Sequence, residues 1–184
     1  MNPGTTSFLT LRLHGTIPAA TSRELKAALH QAQEAGTDHH RAQKQFFARF
    51  DAVLDRAPIG PNYFENEKIA EVLAGEIMML EETGFTIHGF AILPNHAHVV
   101  LHLPASSNLS FAKALDLLHL RTGANCRRLV RPKLPPEAEF WQVGWFNYEV
   151  RDEAELTRVL AYVRGNARQA GLAGRFQAWP YVNE

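Results

Sequence analysis

The chain is poor in the features that would make several common readings easy. It has a single cysteine, Cys126, among 184 residues, which excludes an internal disulfide and offers no thiolate metal cluster. It has no charge excess of either sign: 19 Lys and Arg balance 19 Asp and Glu, so the broad basic surface typical of many nucleic-acid-binding proteins is missing. No apolar run approaches the roughly 20 residues of a membrane helix. The opening Met1-Asn-Pro-Gly-Thr-Thr lacks the basic and apolar parts of a secretory leader, so a reducing cytoplasm is the expected setting. No internal repeat or low-complexity tract is visible. What remains is an ordinary globular composition, 46% hydrophobic and 21% charged, with a length that suits one domain with a full core.

The neutral total hides an asymmetry. Residues 1–104 carry 8 Lys and Arg against 11 Asp and Glu, and residues 105–184 carry 11 against 8. The densest basic stretch is Arg127-Arg128-Leu-Val-Arg131-Pro-Lys133, at the end of a predicted helix.

Alternation of apolar residues predicts a strand over 7–14, where Leu9, Leu11 and Leu13 oppose Phe8, Thr10 and Arg12. Thr21 and Ser22 are expected to cap a helical stretch over about 23–56, interrupted near Gly36. A second helix is expected over about 66–83, with Ile69, Val72, Leu73, Ile77 and Leu80 as its stripe and Gly84 as its stop. Strands over 85–93 and 96–103 follow, broken at Pro94-Asn95 and so antiparallel neighbours. A helix over 109–130 ends at Pro132. A strand within 140–150 and a last helix from about 151 to 169 complete the order. Strand–helix–strand–strand–helix–strand with a terminal helix is the ferredoxin-like α+β pattern: an antiparallel sheet with helices on one face, leaving the other face for function.

The densest chemistry lies in the third strand. In Phe90-Ala-Ile-Leu-Pro-Asn-His-Ala-His-Val-Val-Leu-His-Leu103, His96 and His98 look one way, while Ala97, Val99, Leu101 and Leu103 look into the core. Two adjacent imidazoles are half of a metal site, although a histidine pair alone also suits a structural role. His102 shares the face but sits roughly 13 Å from His98, at about 3.3 Å per residue.

In the last helix Leu156, Val159, Leu160 and Val163 make the core stripe. Tyr162 and Asn166, one turn apart, border it and can meet ligands on a sheet against which the helix packs. Tyr63, Tyr148 and Tyr181 read as packing or surface residues. Arg164 and Arg168 flank Tyr162 as candidate phosphate contacts, the bland alternative being a solvated face.

These segments resemble a known family. Gly89-Phe-Ala-Ile-Leu-Pro-Asn-His-Ala-His-Val-Val-Leu is similar to the signature of the single-tyrosine (HUH) transposases. Phe140-Trp-Gln-x-x-Trp-Phe-Asn-x-x-Val-Arg-Asp-Glu and Val159-Leu-Ala-Tyr-Val-Arg-Gly-Asn-Ala-Arg-Gln-Ala-Gly-Leu172 resemble downstream signatures of the REP-associated branch, as does Trp179-Pro-Tyr. The pattern departs from the family at Ala167 and Asn147.

The resemblance implies a single transposase-like domain over 1–184, with a helical insertion at about 21–60. It implies a metal-dependent single-stranded DNA endonuclease and strand transferase. His96, His98 and Asn166 would hold Mg²⁺ or Mn²⁺, and Tyr162 would form a 5′-phosphotyrosine intermediate. Arg121, Arg127, Arg128, Arg164 and Arg168 become the expected DNA contacts. The implied partner is single-stranded or hairpin DNA, with no membrane role and a homodimer left open, in the bacterial cytoplasm at the nucleoid. The alternatives are a noncatalytic hairpin-binding relative and a metal-dependent hydrolase of another substrate.

Overall fold

The computed structural model describes residues 3–56 and 60–169, with side chains up to Asn166. Its elements are β1 (Thr5–Arg12), α1 (Ala19–Glu34), α2 (His39–Arg56), α3 (Glu67–Met78), β2 (Thr86–Ile92), β3 (His96–Leu103), α4 (Phe111–Leu129), β4 (Phe146–Val150) and α5 (Glu153–Gln169). The four strands form one sheet in the order β2-β3-β1-β4, with every neighbouring pair antiparallel. This is the ferredoxin-like arrangement.

Period-two alternation divides the strands between two cores. Leu9, Leu11 and Leu13 join Ala97, Val99, Leu101 and Leu103 on one face. There they meet Ile69, Leu73 and Ile77 of α3, and Phe111, Leu115 and Leu118 of α4. These spacings of three and four residues turn one face of each helix to the sheet. The Asn66 carboxamide caps α3 by accepting from the Lys68 amide at 3.1 Å. After a 3₁₀ turn over Glu81–Thr83, Gly84 reverses the chain at φ +95°, a conformation that glycine adopts without a Cβ clash.

The opposite face holds Phe8, Val100, Ala91, Tyr148 and Val150, packed against Phe47 of α2 and Val159 and Val163 of α5. It carries the histidines, but it is roofed by these two helices rather than left open. α1 has no buried residue; its Leu25 packs on a small cluster of Ile17, Phe50 and Leu54.

Besides β1, which runs over Thr5–Arg12 rather than 7–14, three boundaries differ from the sequence expectation. α1 starts at Ala19 behind Pro18, whose φ of −55° suits helix entry, and no side chain caps it. Thr21 and Ser22 therefore lie in its first turn. α3 stops at Met78, because the chain tightens to the 3₁₀ turn before Gly84. The fourth strand is only Phe146–Val150; upstream, Trp141 makes an isolated bridge to Leu13 and its indole donates to Thr122 Oγ1 at 2.8 Å. Among the described residues no helix is long and apolar enough to cross a membrane.

Leu101, fully buried on a central strand, sits where the α3–α4 layer meets the sheet. Leu101→Ala is expected to cost about 2–5 kcal/mol through lost burial and the cavity left behind. A urea melt measures it, with an unchanged slope showing that the denatured state is unaffected.

Candidate metal centre

His96 and His98 project from β3 as the alternation requires, both fully buried, with ring centroids 4.8 Å apart. Each ring is oriented by a bond at Nδ1. The Asn95 carboxamide donates to the Leu54 carbonyl at 3.2 Å, which turns its oxygen to His96, where Nδ1–H donates to it at 2.6 Å. That fixes the tautomer and leaves the His96 Nε2 lone pair free. His98 Nδ1 lies 3.0 Å from Thr10 Oγ1 on β1, its register partner. With Nδ1–H donating to that hydroxyl, His98 also presents a bare Nε2. A partner that sets the orientation and tautomer of an imidazole is characteristic of metal-binding histidines.

Opposite the two Nε2 atoms is a carboxylate that the sequence reading missed. Asp51 of α2 is 3% exposed. Its Oδ1 stands 3.0 Å from His98 Nε2 and 3.8 Å from His96 Nε2. Close as they are, these three atoms are buried without a properly aligned hydrogen bond. Their ligand atoms all lie within 4.8 Å of one another. Buried polar atoms without partners are costly, and three converging lone-pair donors are what a cation requires. The donor set therefore fits a divalent metal.

Electrostatics support the same assignment. Burial, followed by the neighbouring His98, pushes the His96 pKa down to about 3, so this ring is a neutral ligand. Burial would raise the Asp51 carboxyl, but positive charge placed at His98 and then His96 outweighs it and brings it below its ordinary value, and a cation beside the neutral imidazoles would act in the same direction. One turn on, Asp55 is raised to about 6 by burial and by the Asp51 charge, and its Oδ1 is also buried without a partner.

α5 supplies the other side of the centre. The Tyr162 ring, half-buried, lies 5.8 Å from the His98 ring and 5.7 Å from that of Phe47. It lines a cavity of about 460 Å³ together with Asp51, Asp55, Tyr148 and Arg158. Asn166 is fully buried, and neither amide atom has a partner. Its unmet amide is one turn beyond Tyr162, on the same side of the helix.

The expected basic contacts are not gathered here. Arg127 serves its own loop, donating to the carbonyls of Pro135, Pro136 and Ala138. Arg121 stands 3.8 Å from Glu76, and Arg128 is exposed; all three belong to α4, across the sheet. Arg164 is exposed on α5. The Arg168 side chain, Tyr181 and Trp179-Pro-Tyr lie outside the described residues. Cys126 is buried, and burial pushes its thiol up to about 12, which leaves it inert.

A solved structure of a REP-associated tyrosine transposase bound to a REP hairpin superposes on this chain with a TM-score of 0.52 and 14% identity, covering 98% of this chain and 76% of that one. What the two share is the fold. No family model matches the sequence, and no curated protein matches it.

The position of α5 depends on Glu155, 3% exposed at its first turn. Glu155 accepts from Lys44 Nζ at 2.8 Å, from His40 Nε2 at 3.0 Å and from the Arg151 amide at 2.9 Å. Burial would raise its pKa, but the Lys44 ammonium, the Arg151 amide and His40 outweigh burial and bring it to about 2. A carboxyl lowered on folding stabilises the fold fully above its unfolded value, near ~4.3, and that contribution is lost as pH falls towards about 2. Glu155→Gln is expected to reduce stability by about 1–3 kcal/mol at neutral pH and to flatten the acid side of the stability profile, as read by urea melts across that range.

Proposed function

We propose that the protein is a metal-dependent single-stranded DNA endonuclease and strand transferase that acts at hairpin DNA. The observation that carries this reading is the convergence of three unpartnered buried ligand atoms, from His96, His98 and Asp51, beside the Tyr162 ring. The fold shared with a hairpin-bound tyrosine transposase supports DNA as the substrate class.

The two imidazoles and the Asp51 carboxylate would hold the cation, and the Asn166 carbonyl oxygen would add a further ligand. A mixed nitrogen and oxygen set suits Mn²⁺ better than Mg²⁺, which prefers oxygen throughout. When bound, the metal draws charge from a scissile phosphate and orients it. The Tyr162 phenol oxygen attacks phosphorus; a bond forms between that oxygen and the 5′-side phosphate, and the bond to the 3′ oxygen breaks. The phenol proton passes to Asp55 and is returned to the departing 3′ oxygen, which leaves as a hydroxyl. Since a phosphodiester is exchanged for a phosphodiester, a second strand's 3′-OH can reverse the step without an energy source.

The purified protein, incubated with end-labelled single-stranded hairpin DNA and Mn²⁺, is expected to yield a covalent adduct on denaturing gels. Tyr162→Phe abolishes the adduct and preserves binding. Asp55→Asn slows adduct formation by about 100-fold, the usual worth of general acid–base help. Absence of any adduct over a broad hairpin panel would overturn the catalytic reading. Separately, Asp51→Asn should weaken Mn²⁺ binding in calorimetry by more than the roughly tenfold that loss of an outer partner costs.

A further inference from the structure

A second cavity of about 430 Å³ opens beside the metal centre, on the side of α2 away from Tyr162. Its walls include Thr10 and Arg12 of β1, Lys26 of α1, and Phe46 and Phe50 of α2. Trp145, Phe146, Gln43, Gln142 and Asn147 also line it, and no acidic residue does. The cavity beside Tyr162, by contrast, is lined by Asp51, Asp55 and Glu155 together with Lys44 and Arg158.

Arg12 is the informative residue. It is 9% exposed, a level of burial at which arginine is ordinarily paired. Its guanidinium donates from Nη1 to Thr16 Oγ1 at 3.3 Å and lies 5.7 Å from the centre of the Phe50 ring. Among the described residues no carboxylate pairs with it. A guanidinium has five N–H donors in a planar fork that matches phosphate, so most of its hydrogen-bonding capacity is unspent. Holding a charge there without a counter-charge is costly, and an anionic ligand would remove the cost. Around it stand four aromatic rings, of which Phe46 and Phe146 lie 5.3 Å apart, and three carboxamides able to bond to the edge of a base.

We propose that this cavity is a nucleotide subsite, with phosphate held by Arg12 and Lys26 and the base against the aromatic wall. Its size falls in the range of small-molecule sites, about 300–1,000 Å³. It is joined to the metal centre through β1. Arg12 is the register partner of His96, and Thr10 both lines the subsite and bonds to His98. α2 stands between this subsite and Tyr162, so an unpaired nucleotide seated here would belong to the strand flanking the scissile bond. That use rests on the reading given under Proposed function; occupancy of the subsite does not.

The test is binding without metal. Fluorescent single-stranded oligonucleotides of mixed sequence are titrated in EDTA and followed by anisotropy, with deoxynucleoside monophosphates and inorganic phosphate as competitors. Lys26 is exposed, so Lys26→Ala tests the subsite without disturbing the fold. It is expected to weaken oligonucleotide binding and to lower the dependence of log K on log salt by about 0.7. Arg12→Lys keeps the charge, loses the fork, and is expected to weaken binding by about tenfold; a thermal melt verifies that it folds. Competition by monophosphates assigns the subsite to free nucleotides as well as to strands, and competition by oligonucleotides alone assigns it to a DNA strand. Binding unchanged in both variants, or displaced equally by inorganic phosphate and monophosphates, overturns the proposal. Because no cleavage is read, a wild-type protein that binds through Lys26 but forms no adduct would sink only the catalytic reading.

Discussion

One hydrogen bond sets the geometry on which the site depends: the donation from the Asn95 carboxamide to the Leu54 carbonyl. It joins the loop between β2 and β3 to the last turns of α2, in a buried position where water does not compete. Because that amide group has one oxygen and one nitrogen, committing the nitrogen to α2 commits the oxygen to His96. The same bond therefore chooses a tautomer on the sheet and holds the helix that brings Asp51 to it. Candidate metal ligands from distant parts of the chain are coupled through a residue outside the candidate set.

α2 also divides the functional face in two. Phe47 packs with Phe8 and Tyr148, while Phe46 and Phe50 face β4 through Phe146. The cavities on either side differ in charge: one sets three carboxylates against Lys44 and Arg158, and the other has Arg12 and Lys26 without an acid. A neutral total charge thus conceals local fields of both signs. The carboxylates beside the phenol suit metal and proton chemistry, and the cations beside the aromatic rings suit a strand's phosphates. Such separation keeps the anionic backbone from being repelled across the whole face.

Much of this was legible in the sequence, and the remainder was hidden for physical reasons. Strict alternation along β3 revealed both histidines and their common face, because a one-residue slip would put Ala97 and Val99 in the site. The α5 stripe located Tyr162 and Asn166 at its border in the same way. Asp51 and Asp55 went unseen. Carboxylates in a helix usually belong to its solvated face, and only their place within Phe46-Phe47-x-x-Phe50-Asp51-x-x-Leu54-Asp55 marks them as inward-facing. Asn95 looked like a turn residue, since sequence alone does not show that a turn is buried. Arg12, in alternation with Leu11 and Leu13, was legible only as lying on the face opposite the leucines. Helices far along the chain cover that side, and their packing cannot be read from local periodicity.

The anchoring of α5 through Glu155 has a mechanical consequence. The ion cluster clamps one end of a stiff rod, while Tyr162 rides farther along it. Seven residues of helix amount to roughly 10 Å of lever arm, so a tilt of roughly 10° about the clamp swings the phenol by roughly 2 Å. A displacement of that size separates bonding distance from idle contact. Glu155 is then the fulcrum of a lever whose angle sets how far the Tyr162 phenol stands from the His96, His98 and Asp51 group, and Val159 and Val163, packed on the sheet, lie along its arm.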